Sequence, residues 1–265
     1  MAEFHDLAEI GLNQDGEAWG NLGYWHAGAN YSQACRALAM LLGDAAELNS
    51  SHKVFDAGFG CGDQLLLWLQ HYQVKSLSGV NLSKSQTTLA KRRVEEAGFD
   101  ATALQTASVA SSSVWQASCQ QSIDRIIALD CAYHFTKRTE FFHRSFRALS
   151  SGGKVALTDM VFAGDMGKVK KNLLKLMLLA SRIPASNAVS EILYRSQLAA
   201  AGFSQVITRD ISEEVLVGFY KAQQQLGKEN AHWQKMKYRV TAKFLNWAYS
   251  RNLIRYILVT AEKSP

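Results

Sequence analysis

The chain has 265 residues, 48% of them apolar and 20% charged, with a net charge of +6, as expected of a soluble globular protein with a substantial core and of no proline-rich or low-complexity chain. Residues 1–12 carry Glu3, His5, Asp6 and Glu9 in place of a basic start and an apolar core, which argues against a secretory signal, and no window approaches the run of about twenty apolar residues that spans a bilayer. Cys35, Cys61, Cys119 and Cys131 lie far apart and match no metal-ligand spacing, so reduced thiols, a cytoplasmic location and no metal site are expected.

Along the chain, N-L-G-Y-W at residues 21–25 precedes Tyr31, Cys35, Leu38, Leu41 and Leu42 at helical spacing; this predicts a loop and a helix that cover the rest of the domain. Residues 53–62, K-V-F-D-A-G-F-G-C-G, read as a strand running into a tight loop, then a helix with Leu65, Leu66, Leu67, Trp68 and Leu69. Glycines there let a ligand approach backbone amides at a helix N-terminus, so the segment reads as a cofactor loop. Its spacing, Gly58, Gly60 and Gly62, is not that of a dinucleotide fingerprint, the next strand ends at Asn81 where such a site wants an acid, and no G-K-[ST] is present.

A second strand over residues 74–81 and a helix over 83–97, with Ser83 as N-cap, come next. A weaker third strand spans residues 101–105. Residues 124–130, D-R-I-I-A-L-D, read as a buried fourth, and residues 139–149 as a helix with Phe141, Phe142, Phe146 and Leu149 on one side. Ser151-Gly152-Gly153 turns into a fifth strand over residues 154–159; a sixth covers residues 204–210 and a last one residues 256–262. Alternation at these spacings implies a parallel sheet with helices on both faces.

Between and after the last strands lie two amphipathic segments. In residues 167–182, Val169, Leu173, Leu176, Met177 and Ala180 share a face opposite Lys168, Lys171, Lys175 and Arg182; later, Trp233, Met236, Val240, Phe244 and Trp247 stand opposite Lys235, Arg239 and Lys243. Residues 162–256 hold fifteen Lys or Arg against six Asp or Glu, a local balance of +9. Two readings stand: cap helices that bury their stripes and solvate their charges, or a cap that admits an apolar substrate and meets an anionic headgroup or membrane surface. Without a nucleic-acid-reading motif, nucleic acid is not an expected partner.

The glycine loop, with Asp56, Gly58, Gly60 and Gly62 completing D-x-G-x-G-x-G, resembles the first motif of class I S-adenosylmethionine-dependent methyltransferases. G-V-N-L-S-K-S-Q at residues 79–86 resembles the second motif of sterol and tocopherol methyltransferases and of cyclopropane fatty-acid synthases. A-L-D-C-A-Y-H-F at 128–135, A-L-S-S-G-G-K-V-A-L-T-D-M at 148–160 and A-A-G-F at 200–203 resemble their later motifs, with Ser151 in place of a usual proline. The resemblance covers residues 21–210. It implies a doubly wound, mostly parallel, seven-stranded Rossmann-like sheet with an antiparallel last strand and a helical cap. The expected organisation is one domain: a core over about 50–160, 203–212 and 254–263, an N-terminal cover over 1–49, and cap segments over about 162–201 and 213–252.

The resemblance also implies a site. S-adenosylmethionine would lie on the loop from Asp56 to Gly62, with Cys61 a small filler and Asp56 receiving the ammonium or, alternatively, only capping the loop. Asn81, Leu82 and Gln86 would face the ribose and adenine, Ala107 and Ser108 the adenine, and Tyr24 and Trp25 would cover the cofactor or belong to the core. Asp130 ends the fourth strand at the same edge. If the acceptor must lose a proton, His134 is the leading candidate base, with Tyr133 and Tyr24 secondary; a histidine that only satisfies a backbone carbonyl is the alternative. The expected activity is methyl transfer to a small, largely apolar, lipid-like molecule, against a non-catalytic binding protein or a polar metabolite as acceptor. Oligomeric state is not legible.

Overall fold

The computed structural model describes residues 13, 16–119, 122–163, 172, 174, 178–179, 181–226 and 233–264. Seven strands, β1 (Lys53–Ala57), β2 (Ser76–Asn81), β3 (Leu104–Thr106), β4 (Ile123–Ala128), β5 (Leu149–Phe162), β6 (Ser204–Asp210) and β7 (Ile254–Glu262), form one sheet in the order β3-β2-β1-β4-β5-β7-β6. The first five run parallel, and β7 lies antiparallel between β5 and β6. This is the expected sheet. β5 is longer than its apolar run, because its start pairs at Ile123 and its far end follows β7 to Ile254.

Burial explains the strand sequences. β5 is buried continuously from Gly153 to Phe162 and β1 from Val54 to Ala57, so both are mostly apolar, as strands covered on two faces are, and their polar members Asp56, Lys154, Thr158 and Asp159 are buried with them. The edge strand β6 alternates between exposed and half-buried positions, which is the pattern of a strand with one solvated face.

The helices are α1 (Tyr31–Ala45), α2 (Asp63–Gln70), α3 (Lys84–Glu96), α4 (Ser112–Cys119), α5 (Arg138–Ala148), α6 (Glu191–Ala200), α7 (Gly218–Leu226) and α8 (Trp233–Ser250). α1 starts in a reciprocal capping box between Asn30 and Gln33, and Ser83 caps α3 through the Gln86 amide, each stabilising its helix by about 1 kcal/mol. One face of the sheet is covered by α1, α2, α3, α7 and α8, through Leu38, Trp68, Val94, Phe219 and Ala242 among others; the other is covered by α4, α5 and α6 through Trp115, Phe142 and Leu198. A π-helical turn, Glu213–Val217, leads into α7.

The cap departs in part from its predicted faces. In α8 Ala242, Leu245 and Ala248 are buried, and Tyr238, Tyr249 and the predicted Phe244 and Trp247 pack half-buried against the core, while Val240, assigned to that stripe from sequence, is 62% exposed. Tyr238 meets Phe219 edge-on, and the small Ala242 and Ala248 let α8 lie close to its neighbours. The side chains of Trp233, Lys235 and Met236 lie outside the described residues. So do Val169, Leu173, Leu176, Met177, Ala180, Lys168, Lys171 and Lys175 of the first cap segment; its described Leu174 and Leu178 are buried, and Leu179 is 77% exposed. Among the described residues no helix is long and apolar enough to cross a membrane.

After β1 the chain builds outward to β3 and then returns to place β4 against the free side of β1. At such a reversal the connections leave in opposite directions and open a crevice at the carboxyl ends of the strands. The loop after β1 and the turn after β4 both emerge there.

Candidate functional site

The loop from Gly58 to Gly62 is held by backbone bonds from the Gly58 amide to the Val80 carbonyl (2.8 Å) and from the Gly62 amide to the Phe59 carbonyl (3.1 Å). A Cβ on Gly58 would stand 2.7 Å from the Cys131 sulfur, and one on Gly62, whose φ is +96°, would stand 3.0 Å from the Cα and Cβ of Ala90. Gly60 is different. Its φ is +55° and a Cβ there would meet no atom within 4 Å. The protein itself does not require this glycine for packing, and the space above it suits a ligand lying on the loop. Cys61 is buried in a small cluster with Ala18, Leu89 and Tyr238, as a filler residue would be.

Asp56 is fully buried and accepts from Gln64 Nε2 at both oxygens (3.0 and 2.9 Å) and from Trp68 Nε1 (2.8 Å). Burial pushes the carboxyl up to about 6, against the pull of those two donors. Its bonds run to α2, so of the two roles expected of Asp56 the geometry favours the loop cap.

At the end of β2, Asn81 Nδ2 donates to Gln86 Oε1 (3.0 Å) and to the Ser83 carbonyl (3.4 Å). The donor half of the amide is thus engaged within the chain, and Oδ1 is the half that can accept from a ribose hydroxyl. Leu82 beside it is 78% exposed, an apolar side chain standing at the crevice. Across β2, the Ala107 amide donates to the Asn81 carbonyl (3.0 Å), and Ser108 Oγ accepts from the Ala110 amide (3.1 Å). Ser108 therefore shapes its own turn.

Asp130, just past β4, has a φ of +53°, rare for a residue with a Cβ and common where a site stores strain. Three donors hold it: the Leu22 amide (2.7 Å), Tyr133 Oη (2.8 Å) and Tyr256 Oη (2.5 Å). Its amide donates to Thr158 Oγ1 (2.7 Å), and burial pushes its carboxyl up to about 6. Its oxygens are taken up by protein donors, which tie the N-terminal segment and β7 to the end of β4.

His134 follows in a short 3-10 turn, Ala132–His134. Its Nδ1 lies 3.4 Å from the Arg182 carbonyl; a carbonyl only accepts, so this contact assigns the proton to Nδ1 and the lone pair to Nε2. Burial lowers its pKa below the ordinary histidine value, with the Arg182 bond opposing. Tyr133 is the reverse case: burial holds its phenol well above the ordinary value, and it donates to Asp130, the opposite of what a base requires.

Of the two roles expected of Tyr24 and Trp25, packing against the core is the one their surroundings favour. Tyr24 Oη donates to Glu214 Oε1 (3.2 Å) with Arg209 Nη2 3.5 Å away, and the Trp25 amide donates to the Glu214 carbonyl (3.1 Å). Burial, then Glu214, raises the Tyr24 phenol. The contacts with Glu214 and Arg209 lie at the far end of the sheet, by β6, whereas the Tyr24 amide donates to the Ala34 carbonyl of α1 (2.8 Å) and Trp25 Nε1 to the Leu22 carbonyl (2.8 Å). The cover over the glycine loop comes instead from residues 16–19. Asp63 accepts the Ala18 amide at both oxygens (3.2 Å each) and pairs bidentately with Arg93 (2.6 and 2.7 Å), which also donates to the Cys61 and Gly16 carbonyls.

Sequence reasoning missed that Asp63–Arg93 pair, and also a buried network behind His134. Asn187 Nδ2 donates to the Tyr133 and Phe135 carbonyls (2.9 and 2.8 Å), on either side of the histidine. The Asn187 carbonyl accepts from Arg138 (2.9 Å), whose guanidinium pairs with Asp159 (3.2 Å) and lies over the Tyr194 ring. A buried charge of this kind needs such partners, although Arg138 Nε has none among the described residues; the signal in sequence was an arginine opening a helix whose other face is aromatic.

Among the described residues no three His, Cys, Asp or Glu gather as metal ligands would. The open space at Gly60, the accepting Oδ1 of Asn81 and the exposed Leu82 together fit an adenosyl sulfonium compound laid across the ends of β1 and β2.

Comparison with known proteins bears on this arrangement. The family described as Mycolic acid cyclopropane synthetase matches residues 23–197. Erythromycin 3''-O-methyltransferase of Saccharopolyspora erythraea is 31% identical over 205 residues, 75% of this chain, and the chain spans about two thirds (66%) of that relative's length. Among solved structures, mycolic acid cyclopropane synthase CmaA1 complexed with SAH and CTAB aligns with a TM-score of 0.72 at 18% identity, covering 98% of this chain and 95% of that one. The cyclopropane synthase MmaA2 from Mycobacterium tuberculosis aligns with a TM-score of 0.71 at 18% identity, covering 92% and 90%.

Proposed function

The chain belongs to the mycolic acid cyclopropane synthetase family of S-adenosylmethionine-dependent methyltransferases, and from that membership we propose that it methylates a hydroxyl oxygen on a largely apolar molecule, with His134 as general base. The observation that carries the reading is His134 itself, its Nδ1 against the Arg182 carbonyl and its lone pair thereby assigned to Nε2, on the turn that leaves the carboxyl end of β4. The name of the erythromycin relative, an O-methyltransferase, supports an oxygen acceptor.

When bound, S-adenosylmethionine supplies an electrophilic methyl carbon on a sulfonium. The loop from Gly58 to Gly62, Asn81 Oδ1 and Leu82 would hold it. His134 Nε2 would take the hydroxyl proton as the oxygen becomes nucleophilic, a contribution of about 10²- to 10⁴-fold. The Asn187 amide fixes the backbone on both sides of that ring. Alignment of this kind is the larger part of the rate, since orientation alone is worth roughly 7–11 kcal/mol.

A peripheral membrane contact is a second reading. It is supported by Leu179 and Val240, 77% and 62% exposed, within the stretch that carries the +9 balance. The test for both is a screen with isotopically labelled methyl donor against lipid extracts and soluble metabolites, alongside flotation on acidic liposomes at low and high salt. A labelled ether in an apolar product is expected. Label in a new carbon–carbon bond would overturn the oxygen reading, and absence of salt-sensitive flotation would overturn the membrane one.

A further inference from the structure

Two buried polar atoms beside the glycine loop have no hydrogen-bond partner among the described residues: Glu17 Oε2, an acceptor, and Trp19 Nε1, a donor. Leaving either unpaired in the folded protein is costly, and native structures keep few such groups without a reason. The residues around them are firmly placed. Gly16 is held by Arg93, Ala18 by Asp63, and Trp19 by a pair of bonds with Asn13 (3.0 and 3.1 Å). Arg93 also holds the Cys61 carbonyl, and Ala18 shares the Cys61 cluster, so the strip lies directly on the loop.

We propose that Glu17 receives the α-ammonium of S-adenosylmethionine, and that Trp19 Nε1 donates to its α-carboxylate. The two orphaned atoms are opposite in hydrogen-bonding sense, and the amino-acid end of the donor is a zwitterion that supplies both complements. Asp56, the residue sequence offers for this task, is occupied by Gln64 and Trp68. Glu17 therefore takes the role that Asp56 cannot fill. The inference rests on the reading that this site holds S-adenosylmethionine.

The test compares two ligands by isothermal titration: S-adenosylhomocysteine, which has the amino-acid end, and 5'-methylthioadenosine, which lacks it. Glu17→Gln should weaken S-adenosylhomocysteine by about ten- to a hundredfold, as loss of a hydrogen bond to a charged group does, and leave 5'-methylthioadenosine within about twofold. Trp19→Phe, which removes the N–H together with part of a buried ring, should show the same selectivity with a smaller loss. Thermal melts of both variants check that they fold. Unchanged S-adenosylhomocysteine affinity in folded Glu17→Gln, or equal loss of both ligands, would overturn the assignment; selective loss in Asp56→Asn instead would transfer the role back to Asp56. Failure of the unaltered protein to bind either ligand would overturn the cofactor reading, and this one with it.

Discussion

Replacing Gly60 and Gly62 one at a time separates the ligand's demand on the loop from the fold's. Alanine at Gly60 places a methyl where no protein atom lies within 4 Å, at a φ of +55°; the left-handed conformation costs about 1–2 kcal/mol, which lowers Tm by roughly 2–4 °C per kcal/mol for a protein of this size. The same methyl occupies space meant for the cofactor. Overpacking by one carbon costs about 1–3 kcal/mol, or roughly 5- to 150-fold in Kd. Alanine at Gly62 meets the Cα of Ala90 at 3.0 Å, a helix backbone that cannot rotate away, and its φ is +96°. Strain and overpacking then add to about 2–5 kcal/mol of lost stability. Isothermal titration with S-adenosylhomocysteine and thermal melting on the same preparations read both quantities. Full affinity in Gly60→Ala, or an unshifted melting temperature in Gly62→Ala, would refute the division of labour drawn between these two glycines.

Two further outcomes come from the buried titrating groups. His134→Ala should lower kcat by about 10²- to 10⁴-fold with S-adenosylhomocysteine affinity little changed; because burial lowers the histidine's pKa, the acidic limb of kcat/KM in the unaltered protein should fall below pH 6.5 and vanish from the variant's residual activity, and a limb above 6.5 would contradict it. Asp56 holds its proton up to about 6 when folded but only to about 3.9 when unfolded. Folding thus takes up a proton between those values, so the stability is present below pH 4 and is lost as pH rises through 6. The gap corresponds to about 3 kcal/mol. Urea unfolding at pH 4 and pH 7 should show Asp56→Asn losing less across that interval than the unaltered protein, and an identical loss would sink the argument.

The sheet was legible because each strand announces itself twice, by an apolar run and by the turn residue that ends it. The glycine loop, the Ser83 cap and the strand end at Asn81 are local features, and they stood where spacing placed them, while the fourth strand stops at Ala128, two residues short of Asp130. What could not be read is what depends on distant partners. Asp56 looked available because nothing beside it in sequence says that Trp68, 12 residues on, would donate to it. Tyr24 looked like a lid because the pull of Glu214, 190 residues away, leaves no local trace. Val240 sat on a plausible stripe, but two residues to either side Ala242 is buried and Tyr238 packs half-buried against the core, its ring edge-on to distant Phe219.

Placing β7 between β5 and β6 has a consequence for assembly. β6 bonds only to β7 within the sheet, and β7 is the later of the two in the chain. While the protein is being made, β5 ends in an open edge and β6 has no strand to join, so the long buried run from Gly153 to Phe162 waits unpaired on that side. Such an edge invites pairing with another chain. Completion then comes at once: nine residues of β7 zip against β5 from Lys154 to Phe162 and bring β6 with them. A nascent chain stalled before Ile254 should therefore be a sticky species dependent on chaperones, although it already holds both halves of the crevice.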